Sequence, residues 1–121
     1  IEKGNFYYFI LEYAPHGTLD NFIKKHQKLT ESATISIMEQ IIAAYRYLIQ
    51  QKVLHRDLKP PNILKSGLTW KICDFGFSVM GKKNLVGEIN VGTPAYMAPE
   101  ALERTFYSPK TDIFSLGVLC Y

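Results

Sequence analysis

The most informative segment of the sequence is His55-Arg56-Asp57-Leu58-Lys59-Pro60-Pro61-Asn62. It places an acid, a base and an amide within six residues of one another. Asp57 can accept a proton from an attacking hydroxyl, and Lys59 can neutralise negative charge on a group in transfer. Asn62 can offer its amide oxygen to a metal ion. The stretch therefore predicts a loop that carries chemistry.

Asp74-Phe75-Gly76 adds a second carboxylate beside a flexible glycine. Mg²⁺ takes few protein oxygens and completes its shell with phosphate oxygens, a demand that Asp74 and Asn62 meet together. Taken alone, the first stretch could be a salt-bridged loop and the second an ordinary turn. The two motifs have to be weighed with the rest of the chain.

Two further motifs follow in order. Gly92-Thr93-Pro94-Ala95-Tyr96-Met97-Ala98-Pro99-Glu100 comes after the second carboxylate, and Asp112 opens the segment DIFSLGV. In this order and spacing the four motifs resemble those of the eukaryotic protein kinase family, serine/threonine type. The resemblance implies an enzyme that uses ATP and Mg²⁺ to phosphorylate Ser/Thr hydroxyls of protein substrates.

The resemblance also implies a role for each matching residue. Asp57 would be the catalytic base, and Lys59 would contact the γ-phosphate. Asn62 and Asp74 would bind Mg²⁺. The other matching residues would have regulatory or structural roles: His55, Arg56, Phe75, Gly76, Thr93, Glu100 and Asp112.

Some of these structural roles imply specific contacts. His55 and Phe75 would stack in an internal hydrophobic column, and Arg56 would dock an ordered activation loop. Asp112 would hold the backbone of the His55-Arg56-Asp57 loop from below. Glu100 would pair with an arginine in a late helix, and the sequence predicts no such partner within these residues.

The nucleotide would lie against a hinge. Leu11-Glu12-Tyr13-Ala14 resembles it, with Leu11 as gatekeeper and the backbone of Glu12 and Ala14 bonding the adenine edge. The resemblance completes the ATP-binding set with Leu64 beneath the ring, then Cys73 and Asp74. Cys73 has two interpretations, a small buried hydrophobe or a pocket thiol open to electrophiles.

The type of residue that would receive the phosphoryl group is indicated by Lys59 and Thr93. Both resemble the serine/threonine kinases rather than the tyrosine kinases, and Thr93 could bond both Asp57 and Lys59. Pro61 occupies a position where many kinases of basic substrates carry Glu, so the resemblance does not imply a preference for arginine.

The expected activation loop has an unusual composition. No Ser, Thr or Tyr occurs from Val79 through Gly92. Glu88 stands near the usual phosphorylation site, and Arg56 is its natural partner. We predict that loop phosphorylation is not the switch and that an Arg56–Glu88 pair gives the loop partial constitutive order. The alternative is that Glu88 is a solvated loop charge.

Composition limits the other possibilities. The chain is 47% hydrophobic with a net charge of +3, which excludes a disordered chain and argues against nucleic acid as the main partner. Two cysteines predict a reducing, cytoplasmic compartment, and the apolar run from Ile113 to Tyr121 is too short for a membrane span. The motifs point to no particular regulator.

The motifs cover only part of a kinase domain. No glycine-rich phosphate loop, strand lysine or helix acid occurs, so residues 1–121 predict a partial catalytic domain, truncated at both ends, running from the hinge into the helix after the activation segment. The fragment alone is expected to be inactive. The alternative function is a pseudokinase or scaffold that binds protein partners without phosphotransfer.

The implied fold is α+β and kinase-like, mostly the helical large lobe with the hinge strand, and with the small lobe largely missing. Apolar patterning predicts the separate elements. They are a buried strand over Phe6–Leu11, a short helix after Thr18, a long helix after Thr30 covered on most sides, short strands at Val53-Leu54, Ile63-Leu64 and Leu68–Cys73 with a turn at Ser66-Gly67, a loop over Gly81–Gly92, and a last core helix from Pro109.

Overall fold

A computed structural model describes residues 1–81, 85–86, 91–103 and 106–121. The fold is α+β, as predicted. The helices are α1 (Leu19–His26), α2 (Glu31–Gln50), α3 (Pro99–Leu102) and α4 (Pro109–Cys120), with short 3₁₀ helices at Pro60–Asn62 and Pro94–Tyr96. The strands are β1 (Glu2–Lys3), β2 (Phe6–Tyr7), β3 (Val53–Leu54), β4 (Ile63–Ser66), β5 (Thr69–Ile72), β6 (Val79–Met80), β7 (Leu85–Val86) and β8 (Phe106–Tyr107).

The described strands form four antiparallel pairs: β1 with β2, β3 with β6, β4 with β5, and β7 with β8. The β4–β5 hairpin is the longest, with Ile63 opposite Ile72 and Ser66 opposite Thr69. Its turn is Gly67-Leu68 rather than the predicted Ser66-Gly67, because the ladder extends to Ser66.

The helix starts follow local side-chain chemistry. The Thr18 hydroxyl accepts from the backbone N–H of Asn21 at 3.1 Å, and the Thr30 hydroxyl accepts from that of Ala33 at 3.3 Å. Each bond satisfies a donor that the first turn of a helix leaves open. Both predicted caps are confirmed, and α4 begins at Pro109 as predicted.

The main core lies between α2, the β4–β5 hairpin and α4. Its buried members are apolar side chains that meet around Ile41, which is fully buried: Leu19, Ile37, Met38, Tyr45, Leu58, Ile63, Trp70 and Leu116. A second, smaller cluster joins Leu54, Ala101 and Tyr107. The segment between Leu54 and Leu58 therefore connects the smaller cluster to the main core.

Two predictions about burial are wrong. The strand predicted over Phe6–Leu11 covers only Phe6–Tyr7 and is exposed, with Phe6 at 68%, because a two-stranded ribbon has no second layer against it. α2 is covered on one side only, since Ile42 and Ile49 remain exposed. α4, predicted as a core helix, packs Leu116 into the main core and also buries the polar residues Thr111, Asp112 and Ser115.

The predicted loop over Gly81–Gly92 is also wrong in part. Leu85–Val86 forms β7 and pairs with β8, about twenty residues later in the chain. A two-residue apolar run gives no periodic signal, so only its distant partner could reveal the strand. None of the helices in the described ranges has the length and apolarity that a bilayer crossing requires.

Candidate active site

The β4–β5 hairpin brings two of the predicted site residues to one end. Ile63 pairs with Ile72, so Asn62 before β4 and Cys73 after β5 leave the hairpin side by side. The Cys73 N–H donates to the Asn62 carbonyl at 2.9 Å and extends this pairing. Asp74 is the next residue, so antiparallel pairing brings its backbone close to that of Asn62.

Three side chains converge on the Asp57 carboxylate, which is almost fully buried. Lys59 Nζ lies 2.8 Å from Asp57 Oδ2 and also donates to Thr93 Oγ1 at 2.7 Å. Thr93 Oγ1 donates to Asp57 Oδ1 at 2.8 Å. Asn62 Nδ2 donates to Asp57 Oδ2 at 3.0 Å and to the Asp57 carbonyl at 2.9 Å.

This cluster joins segments that are far apart in the sequence. Thr93 lies 36 positions from Asp57, yet its hydroxyl bridges the carboxylate and Lys59. The hydroxyl can do so because it accepts one hydrogen bond and donates another. The two bonds proposed for Thr93 on the sequence are therefore both present.

Asp112 supports the loop that carries Asp57. Its Oδ2 accepts from the His55 N–H at 2.8 Å, and its Oδ1 accepts from the Arg56 N–H at 2.9 Å. Asp112 is completely buried in the first turn of α4, where the helix dipole favours a negative charge. The backbone immediately before Asp57 is thus held by a carboxylate 56 positions away.

Two further groups on Asp112 were missed by the sequence analysis. The hydroxyls of Tyr45 and Tyr107 lie 3.2 Å and 2.7 Å from its carboxylate oxygens. In the sequence, Tyr45 follows Ile41 by four residues and so fits the apolar spacing of α2. A buried tyrosine hydroxyl usually needs a polar partner, and this was the available signal.

His55 is buried between the two motifs. Its ring lies 5.1 Å from that of Phe75 in an edge contact, so the two predicted stacking partners meet. Its Nε2 lies 3.0 Å from the Cys73 carbonyl, and its Nδ1 lies 3.3 Å from the Asp57 N–H. A neutral ring protonated at Nε2 satisfies both contacts, since it donates to the carbonyl and accepts from the amide.

Arg56 and Asp74 both have left-handed backbone conformations, with φ of 70° and 62°. Such values are uncommon outside glycine and cluster at functional sites. Arg56 Nε donates to the Phe77 carbonyl at 2.6 Å and so contacts the segment that follows Gly76. The Gly76 N–H donates to Asp74 Oδ1 at 3.2 Å. Glu88, the predicted partner of Arg56, lies outside the described residues.

The predicted hinge residues do not converge on a closed pocket in the described ranges. Leu11 is 81% exposed, and the Glu12 side chain forms an ion pair with Lys71 of β5. Ala14 and Leu64 are half-buried. A backbone pairing between His16–Thr18 and β4 keeps the end of this segment beside Leu64.

Cys73 is half-buried, between the two interpretations. Burial, and secondarily the Asp74 carboxylate, raises the pKa of its thiol above the ordinary value. A raised pKa lowers the thiolate fraction, and the thiolate is the reactive form. The structure therefore favours the small apolar interpretation.

Glu100 lies in the first turn of α3 and contacts the first turn of α4. Its Oε1 accepts from the Thr111 hydroxyl at 3.5 Å. This contact joins the Gly92–Glu100 motif to the helix that carries Asp112, and the Ser115 hydroxyl adds a bond of 2.7 Å to the Tyr96 carbonyl.

The side-chain oxygens of Asn62 and Asp74, at the end of the hairpin, suit Mg²⁺ that is bound together with a phosphate. Asn62 donates through Nδ2, which leaves its Oδ1 as an acceptor, and Asp74 is exposed. No cluster of three or more His, Cys, Asp or Glu side chains suited to a metal occurs among the described residues. Two protein oxygens completed by phosphate oxygens are the pattern that Mg²⁺ accepts.

Comparison with known proteins identifies the family. The model of the protein kinase domain matches residues 1–121. Serine/threonine-protein kinase atg1 of Dictyostelium discoideum is 38% identical over 120 residues, which cover 96% of this chain and 18% of that protein. Mouse Aurora kinase C is 41% identical over 116 residues, which cover 94% of this chain and 41% of that protein.

Human serine/threonine-protein kinase ULK1 is 34% identical over 130 residues, covering 99% of this chain and 12% of that protein. The chain thus spans less than half the length of each of these relatives. The family match extends from end to end of the chain and includes all four motifs around the Asp57 cluster. The chain belongs to the protein kinase domain family.

Proposed function

We propose that the full-length protein is an ATP-dependent serine/threonine protein kinase. The observation that carries the proposal is the cluster in which Lys59, Asn62 and Thr93 all contact the Asp57 carboxylate. A cluster of this kind orients an acceptor hydroxyl and supplies positive charge beside it. The serine/threonine kinases among the relatives support the same acceptor class.

The hydrogen-bond count at Asp57 indicates which atom takes the proton. A carboxylate has about four acceptor sites. Among the described residues, Oδ2 bonds Lys59 and Asn62, whereas Oδ1 bonds only Thr93. Oδ1 therefore has room for one more donor, the hydroxyl of the substrate serine or threonine.

In the proposed reaction this hydroxyl oxygen attacks the γ-phosphorus of ATP. The bond from that phosphorus to the bridging oxygen breaks, ADP leaves, and the hydroxyl proton passes to Asp57 Oδ1. Lys59 lies close enough to Asp57 to stabilise charge on the γ-phosphoryl oxygens. Asn62 and Asp74 would hold Mg²⁺, which neutralises phosphate charge when bound.

The test is phosphotransfer from radiolabelled ATP by the full-length protein. We expect Asp57→Asn and Asp74→Asn each to lower kcat by at least about a hundredfold, because one removes the proton acceptor and the other a metal ligand. Asp20→Asn is the matched control, since Asp20 lies in α1 and pairs with Lys24 at 2.8 Å. Its kcat should equal that of the parent.

The alternative is a pseudokinase or scaffold. A folded parent protein that binds ATP and transfers no phosphoryl group would favour it and contradict the proposal. Near-normal kcat in Asp57→Asn would contradict the role of Asp57 alone. The inactivity of the isolated 121 residues also stays a prediction, supported by the exposed hinge.

The binding partners and the cellular compartment of the protein are further proposals, each supported by fewer observations than the reaction. We propose protein substrates with Ser or Thr acceptors, no nucleic-acid partner and a reducing cytoplasmic compartment. Both cysteines are free thiols, which is compatible with that compartment. Control without loop phosphorylation stays a prediction as well, supported by the Arg56 contact with the Phe77 carbonyl.

A further inference from the structure

Asp112 is a fully buried carboxylate whose hydrogen bonds come from neutral donors. None of the ion pairs in the described part of the chain includes it. Two backbone N–H groups and two tyrosine hydroxyls contact it instead. A buried charge without a salt-bridge partner depends on every hydrogen bond it receives, so each of these donors has a measurable effect.

The donors are divided evenly between the two oxygens. Oδ2 bonds the His55 N–H and faces the Tyr45 hydroxyl, whereas Oδ1 bonds the Arg56 N–H and the Tyr107 hydroxyl. Each oxygen thus has one donor from the catalytic loop and one donor from elsewhere. This arrangement fixes the rotation of the carboxylate about its Cβ–Cγ bond.

The two hydroxyls are anchored in different elements. Tyr45 belongs to α2 and Tyr107 to β8, and both side chains are buried. Burial and the nearby Asp112 charge raise the pKa of each phenol well above its ordinary value, so both remain protonated donors. The Tyr45 hydrogen is shared, because the Pro109 carbonyl lies 3.1 Å from the same hydroxyl.

We infer that the hydroxyls of Tyr45 and Tyr107 are positioning groups for phosphotransfer, an inference that rests on the proposed function. They hold the Asp112 carboxylate in the orientation that binds the His55 and Arg56 amides. Those amides immediately precede Asp57, so their position sets that of its Oδ1. Neither tyrosine touches the substrate.

The test uses the isosteric variants Tyr45→Phe and Tyr107→Phe in the full-length protein. We expect kcat to fall about tenfold in Tyr107→Phe and about threefold in Tyr45→Phe, because the Tyr107 bond is shorter and unshared. KM for ATP should change by less than about twofold, since no nucleotide contact is removed. Tyr47→Phe is the matched control, because Tyr47 lies on the same helix and is 61% exposed.

A second readout does not need activity. Amide hydrogen exchange in the peptide that contains His55 and Arg56 should accelerate in both variants and not in Tyr47→Phe. Exchange in the α1 peptide, Leu19–His26, should stay at the parent rate, which separates loosening of the loop from general destabilisation. In the double variant, the fall in log kcat should be smaller than the sum of the falls in the two single variants, because both hydroxyls act through Asp112.

Unchanged kcat in both tyrosine variants would overturn the inference, as would exchange that rises equally in the loop and in α1. If the parent transfers no phosphoryl group, the proposed function fails on that result. The exchange measurement then still decides whether the hydroxyls hold the loop. The two failures are therefore distinguishable.

Discussion

Gly92 illustrates how a single residue without a side chain can shape the site. Its φ is +112°, and a Cβ built on it would lie 2.8 Å from the Arg56 carbonyl oxygen. That distance is shorter than a real contact allows, and the Arg56 backbone has little freedom because Asp112 holds its N–H. Gly92 thus lets the segment with Thr93 approach the loop with Asp57.

We expect Gly92→Ala to lower the free energy of unfolding by about 1–3 kcal/mol, through strain in the backbone and the clash with Arg56. Gly81→Ala is the control, because Gly81 also has a positive φ, +83°, but no atom of the described residues lies within 4 Å of the added Cβ. Urea unfolding should show a larger loss for Gly92→Ala. If Gly92→Ala and Gly81→Ala lowered the free energy of unfolding equally, the contact between the added Cβ and the Arg56 carbonyl would have no energetic cost.

At the scale of elements, α4 combines structural and site-related residues. Its first turn is capped by Ser108, whose N–H donates to the Thr111 hydroxyl at 3.0 Å, and it carries Asp112. Its later turns contain Gly117, at which an added Cβ would meet no atom within 4 Å. Glycine inside a helix is unfavourable because the unfolded chain has more freedom to lose.

We therefore predict that Gly117→Ala stabilises the protein by roughly 0.5–1 kcal/mol. Ala43→Gly, at an exposed position inside α2, is the reciprocal control and should destabilise it by a similar amount. Urea unfolding of both variants measures the two changes. A loss of stability in Gly117→Ala would indicate that close packing at this position needs glycine.

At the scale of the whole molecule, Asp112 joins α2, β8, α4 and the loop that carries Asp57. Tyr45 and Tyr107 take part in this network only as neutral phenols. Their pKa values are raised in the folded state from an ordinary value of 10.0, chiefly by burial. The unfolded chain therefore releases these two protons at a lower pH than the folded chain does.

The sign of the pH dependence follows from this difference. Below pH 10 both states hold the protons and the stabilisation is complete, whereas above pH 10 the unfolded state binds fewer protons and stability falls. Each tyrosine should contribute a loss of up to about 1.4 kcal/mol per pH unit.

Urea unfolding between about pH 9 and 11.5 measures that loss. Tyr107→Phe should have a shallower decline than the parent, whereas the exposed variant Tyr47→Phe should follow the parent. Identical slopes in Tyr107→Phe and the parent would show that the Tyr107 phenol ionises as easily in the folded state as in the unfolded chain.

The sequence by itself determined the family, the α+β class, the helix caps at Thr18 and Thr30, and the chemical identity of the residues around Asp57. These features depend on side-chain chemistry and short spacings, which can be read locally. It could not decide which apolar residues are buried, as the exposed Phe6 and Ile42 demonstrate. Burial depends on which surfaces meet in space, and apolar patterning gives only the face that could be covered.

The tertiary structure decided the contacts between distant segments. It placed Tyr45 on Asp112 across 67 positions, paired β7 with β8, and brought Gly92 against Arg56. Such contacts form because packed elements bring together residues that no local pattern relates. A tyrosine among apolar residues gives the same sequence pattern whether its hydroxyl bonds water or a buried carboxylate. Only the fold shows which of these two partners is present.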